Sequence, residues 1–178
     1  TNLLLFYTRI NDPLVLNRMG AFYKFTQPDG YLDSKGIEAN MRWKYHDLKL
    51  FVGYTLADVN QHYNDDTQQY PLVAQHRLNN VLMYEKHDNF WIGLEGYYYS
   101  KQQLIDGTTG KPYWILGVMT EKKFGEKFSL FLNFENILDT RQSRFDSVYT
   151  GTLNDPNFKD IYAPVDGFVI NGGFKIKI

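Results

Sequence analysis

The chain has 178 residues, enough for one domain with its own core. Its 19 Lys and Arg against 20 Asp and Glu give a net charge of -1, without the basic excess of a nucleic-acid binder, and the lack of cysteine excludes a disulfide framework and any Cys-based metal site. Aromatic residues reach 17%, mean hydropathy is -0.43, and no apolar run approaches the ~20 residues of a spanning helix, which leaves spanning strands open because they show lipid only alternate residues.

The first residues, Thr1-Asn2-Leu3-Leu4-Leu5-Phe6-Tyr7, already form a strand-like run. No basic n-region or small-residue cleavage site precedes it, and an opening in mid-strand is expected of a fragment. Residues 3–10 and 19–26 read as strands. Asp12-Pro13 and Pro28-Asp29-Gly30 are both turn signals between residues 10 and 36, and either is a candidate hairpin tip. Strict alternation then sets in. Residues 37–45 place Ile37, Ala39, Met41, Trp43 and Tyr45 against Glu38, Asn40, Arg42 and Lys44. Residues 48–56 place Leu48, Leu50, Val52, Tyr54 and Leu56 on one side. Residues 77–85 group Leu78, Leu82 and Tyr84 but put Asn80 among them. Residues 90–98 set Phe90, Ile92, Leu94 and Tyr98 against Trp91, Glu95 and Tyr97, with Tyr99 next in that series. Residues 113–123 set Trp114, Leu116 and Val118 against Tyr113, Ile115, Met119 and Glu121. Residues 127–136 set Phe128, Leu130, Leu132 and Phe134 against Ser129, Phe131, Asn133 and Glu135. The closing run sets Phe168, Ile170, Gly172, Phe174, Ile176 and Ile178 against Val169, Asn171, Gly173, Lys175 and Lys177. The total is about eight or nine antiparallel strands in an all-β fold.

Connections alternate in length. His46-Asp47, residues 86–89 and residues 124–126 are short; residues 58–75, 102–111 and 139–165 are long and polar. Outer-membrane barrels have short periplasmic turns and long extracellular loops. Soluble sandwiches share the period of two with the apolar face turned inward. Strands of about 9–12 residues, aromatics near strand ends (Trp43, Tyr45, Tyr97, Tyr98, Tyr99, Tyr113, Trp114) and mixed charge on the polar faces favour a transmembrane barrel with a wet or plugged lumen.

Motifs for chemistry are sparse. His46 and His87 fall in short turns, His62 in a long loop and His76 at a strand entry; Ser100 with His62 lacks a G-x-S-x-G elbow, so no catalytic residue is expected. Asn64-Asp65-Asp66 reads as a solvated acidic loop rather than a Ca²⁺ site, and Asp106-Gly107-Thr108-Thr109-Gly110 as a hairpin turn, because it lacks phosphate-loop spacing. Neither metal nor cofactor is expected. With long loops outside the cell, Tyr97, Tyr99 and Tyr113 face the lumen near the outer mouth on neighbouring strands, where aromatics stack on a chelate, corrinoid or sugar; packing on a plug or on each other is the competing reading.

Residues 130–139, Leu-Phe-Leu-Asn-Phe-Glu-Asn-Ile-Leu-Asp, resemble the strand of TonB-dependent receptors that ends in Asn-(hydrophobic)-(hydrophobic)-Asp before the last extracellular loop. Tyr149-Thr150-Gly151-Thr152-Leu153, then Asn157-Phe158-Lys159-Asp160-Ile161-Tyr162-Ala163-Pro164, Asp166-Gly167-Phe168 and the strand at 172–178 follow in the order that closes many such receptors, Bacteroidetes-like ones above all. Upstream, Lys35-Gly36-Ile37-Glu38, Pro71 with His76-Arg77-Leu78-Asn79, and Tyr7-Thr8-Arg9-Ile10-Asn11-Asp12 are similar to further family strand ends. One departure is Ile178 where these barrels commonly end in an aromatic.

The resemblance implies a barrel of about 22 strands around a plug. Residues 1–178 would then be the C-terminal part of that barrel, with the plug domain and N-terminal strands absent. It implies an energy-coupled outer-membrane receptor and transporter, not an enzyme, that takes up a scarce ligand such as a siderophore, cobalamin or a glycan. Its partners would be outer-membrane lipid, the rest of the barrel and plug, TonB through the missing N-terminal part, and an unidentified transported ligand, with no nucleic acid. The alternative is a small complete all-β protein, either a ligand-binding module or a small outer-membrane barrel.

Overall fold

The structure, a computed structural model, describes every residue of the chain except Ala21, Asp88 and Ile178. The readings of Ile178 as the end of the closing strand, of Asp88 in the turn 86–89 and of Ala21 in the run 19–26 therefore lie outside the described residues. The elements are β1 (Asn2–Asn11), β2 (Val15–Met19), β3 (Phe22–Thr26), β4 (Gly30–Tyr45), β5 (Leu48–Tyr63), β6 (Asp66–Gln69), β7 (His76–Lys86), β8 (Phe90–Tyr99), β9 (Tyr113–Phe124), β10 (Phe128–Glu135), α1 (Gln142–Phe145), β11 (Tyr149–Thr152), β12 (Asp155–Phe158) and β13 (Val169–Ile176). One antiparallel sheet runs β1-β4-β5-β7-β8-β9-β10-β13, with β6 added beside β5; β2 with β3 and β11 with β12 form separate hairpins. Its first and last strands do not pair with each other, so the sheet is an open wall.

Two sequence expectations change. Residues 19–26 are not one strand: Gly20, at φ +66, turns the chain between β2 and β3. Asp12-Pro13 and Pro28-Asp29-Gly30 are both the base of this inserted hairpin, and neither is its tip. The main ladder closes beneath it, Asn11 opposite Tyr31, with the Asp12 amide donating to the Gly30 carbonyl. Prolines there interrupt pairing because they lack an N–H. Gly30 fits because a Cβ would lie 1.8 Å from the His62 carbonyl oxygen. The second change is length. β4 and β5 have 16 residues each rather than nine, and β6 continues the hairpin into the expected 58–75 loop. Asn64 and Asp65 both adopt left-handed φ (50° and 66°), as a two-residue hairpin turn requires. Sixteen residues span about 54 Å, or about 44 Å along the normal at a tilt of about 35°, so the upper part of this hairpin rises beyond the ~30 Å hydrocarbon core.

The short turns all fall at one end of the sheet and the long connections at the other. The turn-closing pairs are Tyr45–Leu48, Lys86–Phe90 and Phe124–Phe128. Followed along the ladder, each lies two residues below the one before. That is about one residue of stagger per strand and a strand tilt of about 35°, the inclination of membrane barrels.

Register carries the apolar face from strand to strand. Trp43, Leu50, Leu82, Leu94, Val118 and Phe134 are successive partners in a single row, which Ile170 completes on β13. Burial on this sheet is inverted relative to a soluble protein. Leu94 (47%) and Leu132 (48%) are exposed, whereas Glu121 (8%) and Ser129 (6%) on the opposite face are buried. Asn80, the polar intruder on the apolar face, directs its amide to the Gly96 carbonyl at 3.5 Å. The girdle sorts by face: Trp43 with Tyr45 and Tyr98 with Trp114 line the outer side, while Tyr97, Tyr99 and Tyr113 point inward.

Candidate functional site

At the long-loop end of the inner face, the structure brings Tyr99 and Tyr113 together. They are register partners on β8 and β9, with rings stacked at 5.0 Å and 18°. Tyr97 lies one step further toward the short turns, opposite Ile115, and its hydroxyl donates to the Glu95 carboxylate at 2.8 Å. All three are half-buried. Tyr113 is also committed to the loops: its hydroxyl donates to the Tyr162 carbonyl at 3.0 Å, and its ring packs against the buried cluster of Leu104, Tyr162 and Ala163. Beside this cluster an open recess of about 1220 Å³ faces the interior. Ile10, Leu32, Val59 and Tyr63 line it from the sheet, Leu16 from the inserted hairpin, and Ile105 from the loop after β8. No sequence signal marked it, because its walls come from four separate segments.

The loop between β10 and β13 is held by side chains that sequence reading left without roles. Asn136 and Asp139, both at φ 50, grip its two ends. Asn136 donates to the Thr140 and Asp166 carbonyls and accepts from the Thr140 amide, while Asp139 accepts from the Phe168 amide at 3.1 Å. A Cβ on Gly167 would lie 1.8 Å from the Asp139 carboxylate, so the returning chain needs glycine there. Gln142, fully buried, ties the loop's middle: its oxygen accepts from the Tyr162 and Ala163 amides, and its nitrogen donates to the Asp160 carbonyl. The Asn-x-x-Asp pattern was legible as a motif; Gln142 carries no signal, since a lone glutamine in a polar loop reads as solvated.

Burial of the Asp139 carboxyl works against its charge, but the Phe168 amide and the guanidinium groups of Arg141 and Arg144 outweigh it. The carboxyl therefore lies below the usual aspartate range. A depressed carboxylate contributes stability above its unfolded pKa, about 3.9, and loses it as pH falls through the folded value. Amide-exchange protection at Phe168 is expected to stay level from neutral pH down to about 4 and to drop below it. Asp139→Asn is expected to start lower and to lack that acid step.

Ser100 does not meet His62; its hydroxyl accepts from the His76 amide. His62 instead links Thr67 (2.9 Å) and Asp33 (2.8 Å), with Tyr31 stacked on its ring. Hydroxyl, imidazole and carboxylate in this order resemble a nucleophile relay. The three lie on the outer side of the tall hairpin, one each on β4, β5 and β6, where they cross-link its strands. Asp66 caps the Thr67 amide beside the turn at Asn64-Asp65, and among the described residues no group of three His, Asp or Glu is placed to hold a metal. Asp106 accepts from the Thr108 amide and hydroxyl, making 106–110 the expected turn.

Comparison with known proteins matches the geometry. A family model described as TonB-dependent receptor-like β-barrel matches residues 1–137. Among solved structures, the ferric-catecholate import receptor Fiu from K12 E. coli superposes with a TM-score of 0.66 at 16% identity, over 97% of this chain and 24% of that one. The FrpB iron transporter from Neisseria meningitidis gives 0.64 at 17% identity, over 96% and 27%. The pyoverdine outer membrane receptor FpvA from Pseudomonas aeruginosa gives 0.67 at 14% identity, over 99% and 27%. The chain thus spans about a quarter of the length of these structures.

Proposed function

The chain belongs to the TonB-dependent receptor β-barrel family, transporters of the bacterial outer membrane rather than enzymes, and we propose that its sheet is the C-terminal part of the wall of an energy-coupled importer for a scarce ligand. The observation that carries this is the apolar outward face combined with two unpaired edges. In hydrocarbon, the free N–H and C=O groups of β1 and β13 must find partners. A wall of about 22 strands around a plug supplies them. TonB would act through the plug-bearing part of the receptor.

Ligand capture falls to the long-loop end. Tyr97 and Tyr99 offer rings toward the lumen, and Tyr113 braces Tyr99 against the loop cluster whose Leu104 also lines the open recess. A siderophore, a cobalamin or a glycan suits such a surface by stacking. Two of the structural neighbours are a ferric-catecholate import receptor and a pyoverdine receptor; at 14–16% identity they bear on fold alone. The experiment is growth of a strain lacking the receptor on limiting ferric siderophores, cobalamin or glycans. Loss of growth on one class, with uptake that stops when the inner-membrane proton gradient is collapsed, is expected. Uptake that persists without the gradient would refute energy coupling. Tyr99→Ala is expected to weaken binding of that ligand about three- to tenfold, read by titration, from the lost ring contact.

A further inference from the structure

The outward face carries charge at its short-turn end in a single sign. Lys86, Phe90 and Lys122 are successive register partners on β7, β8 and β9, so the two lysines flank one phenylalanine about 10 Å apart. Both lysines are exposed on the apolar side of the sheet. Among the described residues, no outward position between the short turns and the Leu94 row carries a carboxylate; Glu85 and Glu121 face the other way, where Lys49 and Lys175 pair with them. The nearest acids on this side are in the turns themselves, Asp47 and Glu126, with Asp88 outside the described residues.

This level is the membrane interface. Tyr84 packs against Phe90 at 5.8 Å, and Phe128 contacts Phe124 at 5.7 Å and Phe174 at 6.4 Å, an outward aromatic band around the two lysines. Lys122 bends toward the turn, its ammonium 5.7 Å from the Phe90 ring centre and hydrogen-bonded to Asn89. A lysine that reaches from an apolar surface to its polar rim places its charge at headgroup depth. Short turns mark the periplasmic side, so the leaflet at this rim is phospholipid.

We propose that Lys86 and Lys122, with Phe90 between them, form a site on the outer wall for the phosphate of an anionic phospholipid of the periplasmic leaflet. The ammonium groups bracket the phosphate, Phe90 and Tyr84 lie against the upper acyl chain, and Asn89 holds Lys122 at the right depth. Basic pockets at a membrane rim hold anionic headgroups in this way. The site rests on the outer-membrane assignment and is independent of which ligand the receptor imports.

The test is native mass spectrometry of the folded receptor that carries this chain, purified from mixed micelles containing phosphatidylglycerol and phosphatidylcholine in equal amounts. Preferential retention of phosphatidylglycerol is expected. Lys86→Gln and Lys122→Gln should each reduce it, and the double variant should bind about tenfold or more weakly. Lys44→Gln, which removes the same charge from the inner face of the same end, should leave it unchanged. Migration of unboiled samples as the folded barrel separates lost binding from lost fold. Equal retention of the two lipids by the unsubstituted receptor, undiminished phosphatidylglycerol in the double variant, or an equal loss in Lys44→Gln would each overturn the site.

Discussion

Leu94→Arg is expected to destabilise the barrel in a lipid bilayer by about 2–4 kcal/mol, the penalty for an arginine on the lipid face near the midplane. Leu94 lies midway along β8 between Phe90, in the band at the short-turn end, and Tyr98, which packs on Trp114 at the other. Its register partners Leu82 and Val118 offer no anion to receive a guanidinium. The adjacent Glu95 faces inward and bonds Tyr97, so Glu95→Gln is expected to shift stability by far less. Reversible denaturant unfolding from phospholipid vesicles measures both. A soluble β-sandwich, with its apolar face inward, would accept arginine at an exposed position with little change.

Gln142→Leu is the second large effect. The side chain serves three backbone groups, the Tyr162 and Ala163 amides and the Asp160 carbonyl, and none of its surface is exposed. Leucine fills similar space and leaves all three without a partner. At about 1–3 kcal/mol for each buried unsatisfied group, the loop between β10 and β13 is expected to open by at least 3 kcal/mol more readily, roughly a hundredfold or more in local exchange. Amide exchange at Tyr162 and Ala163 reads this directly. The sheet ladder from β4 to β9 should keep its protection, because Gln142 bonds only within the loop and to Pro164. Loss of protection across the whole sheet would show that the loop and the wall unfold as one unit.

Sequence alternation revealed the wall because lipid and lumen impose opposite demands on successive residues. Phe128, Leu130, Leu132 and Phe134 separate from Ser129, Asn133 and Glu135 by sequence alone, and register joins them to Phe174 and Ile170 on β13. Alternation failed where that demand ends. Beyond the hydrocarbon core, Asp58, Asn60 and His62 take over the outward positions of β5, so the outward apolar row that marks the strand lower down stops at Leu56. The β2–β3 hairpin was hidden for a different reason: its tip, Met19 to Phe22, lacks the Asn-Gly or Asp-Gly pair that announces a tight turn, while both flanking prolines mimic one. Tyr97, Tyr99 and Tyr113 were placed on neighbouring strands by counting alone. The attachment of Tyr113 to Tyr162 depends on a contact across 49 residues that local pattern does not contain.

The most direct measurement of which face meets lipid is a nitroxide scan of the bilayer-embedded barrel. Single labels at Ile92, Leu94, Leu130 and Leu132 are compared with labels at Glu95, Asn133 and Asn171, using oxygen, which concentrates in hydrocarbon, and a water-soluble nickel chelate. The first set is predicted to relax with oxygen and to be shielded from the chelate; the second set is predicted to be shielded from oxygen. Chelate access at Leu94 and Leu132 equal to that at Asn171 would contradict a lipid-facing wall.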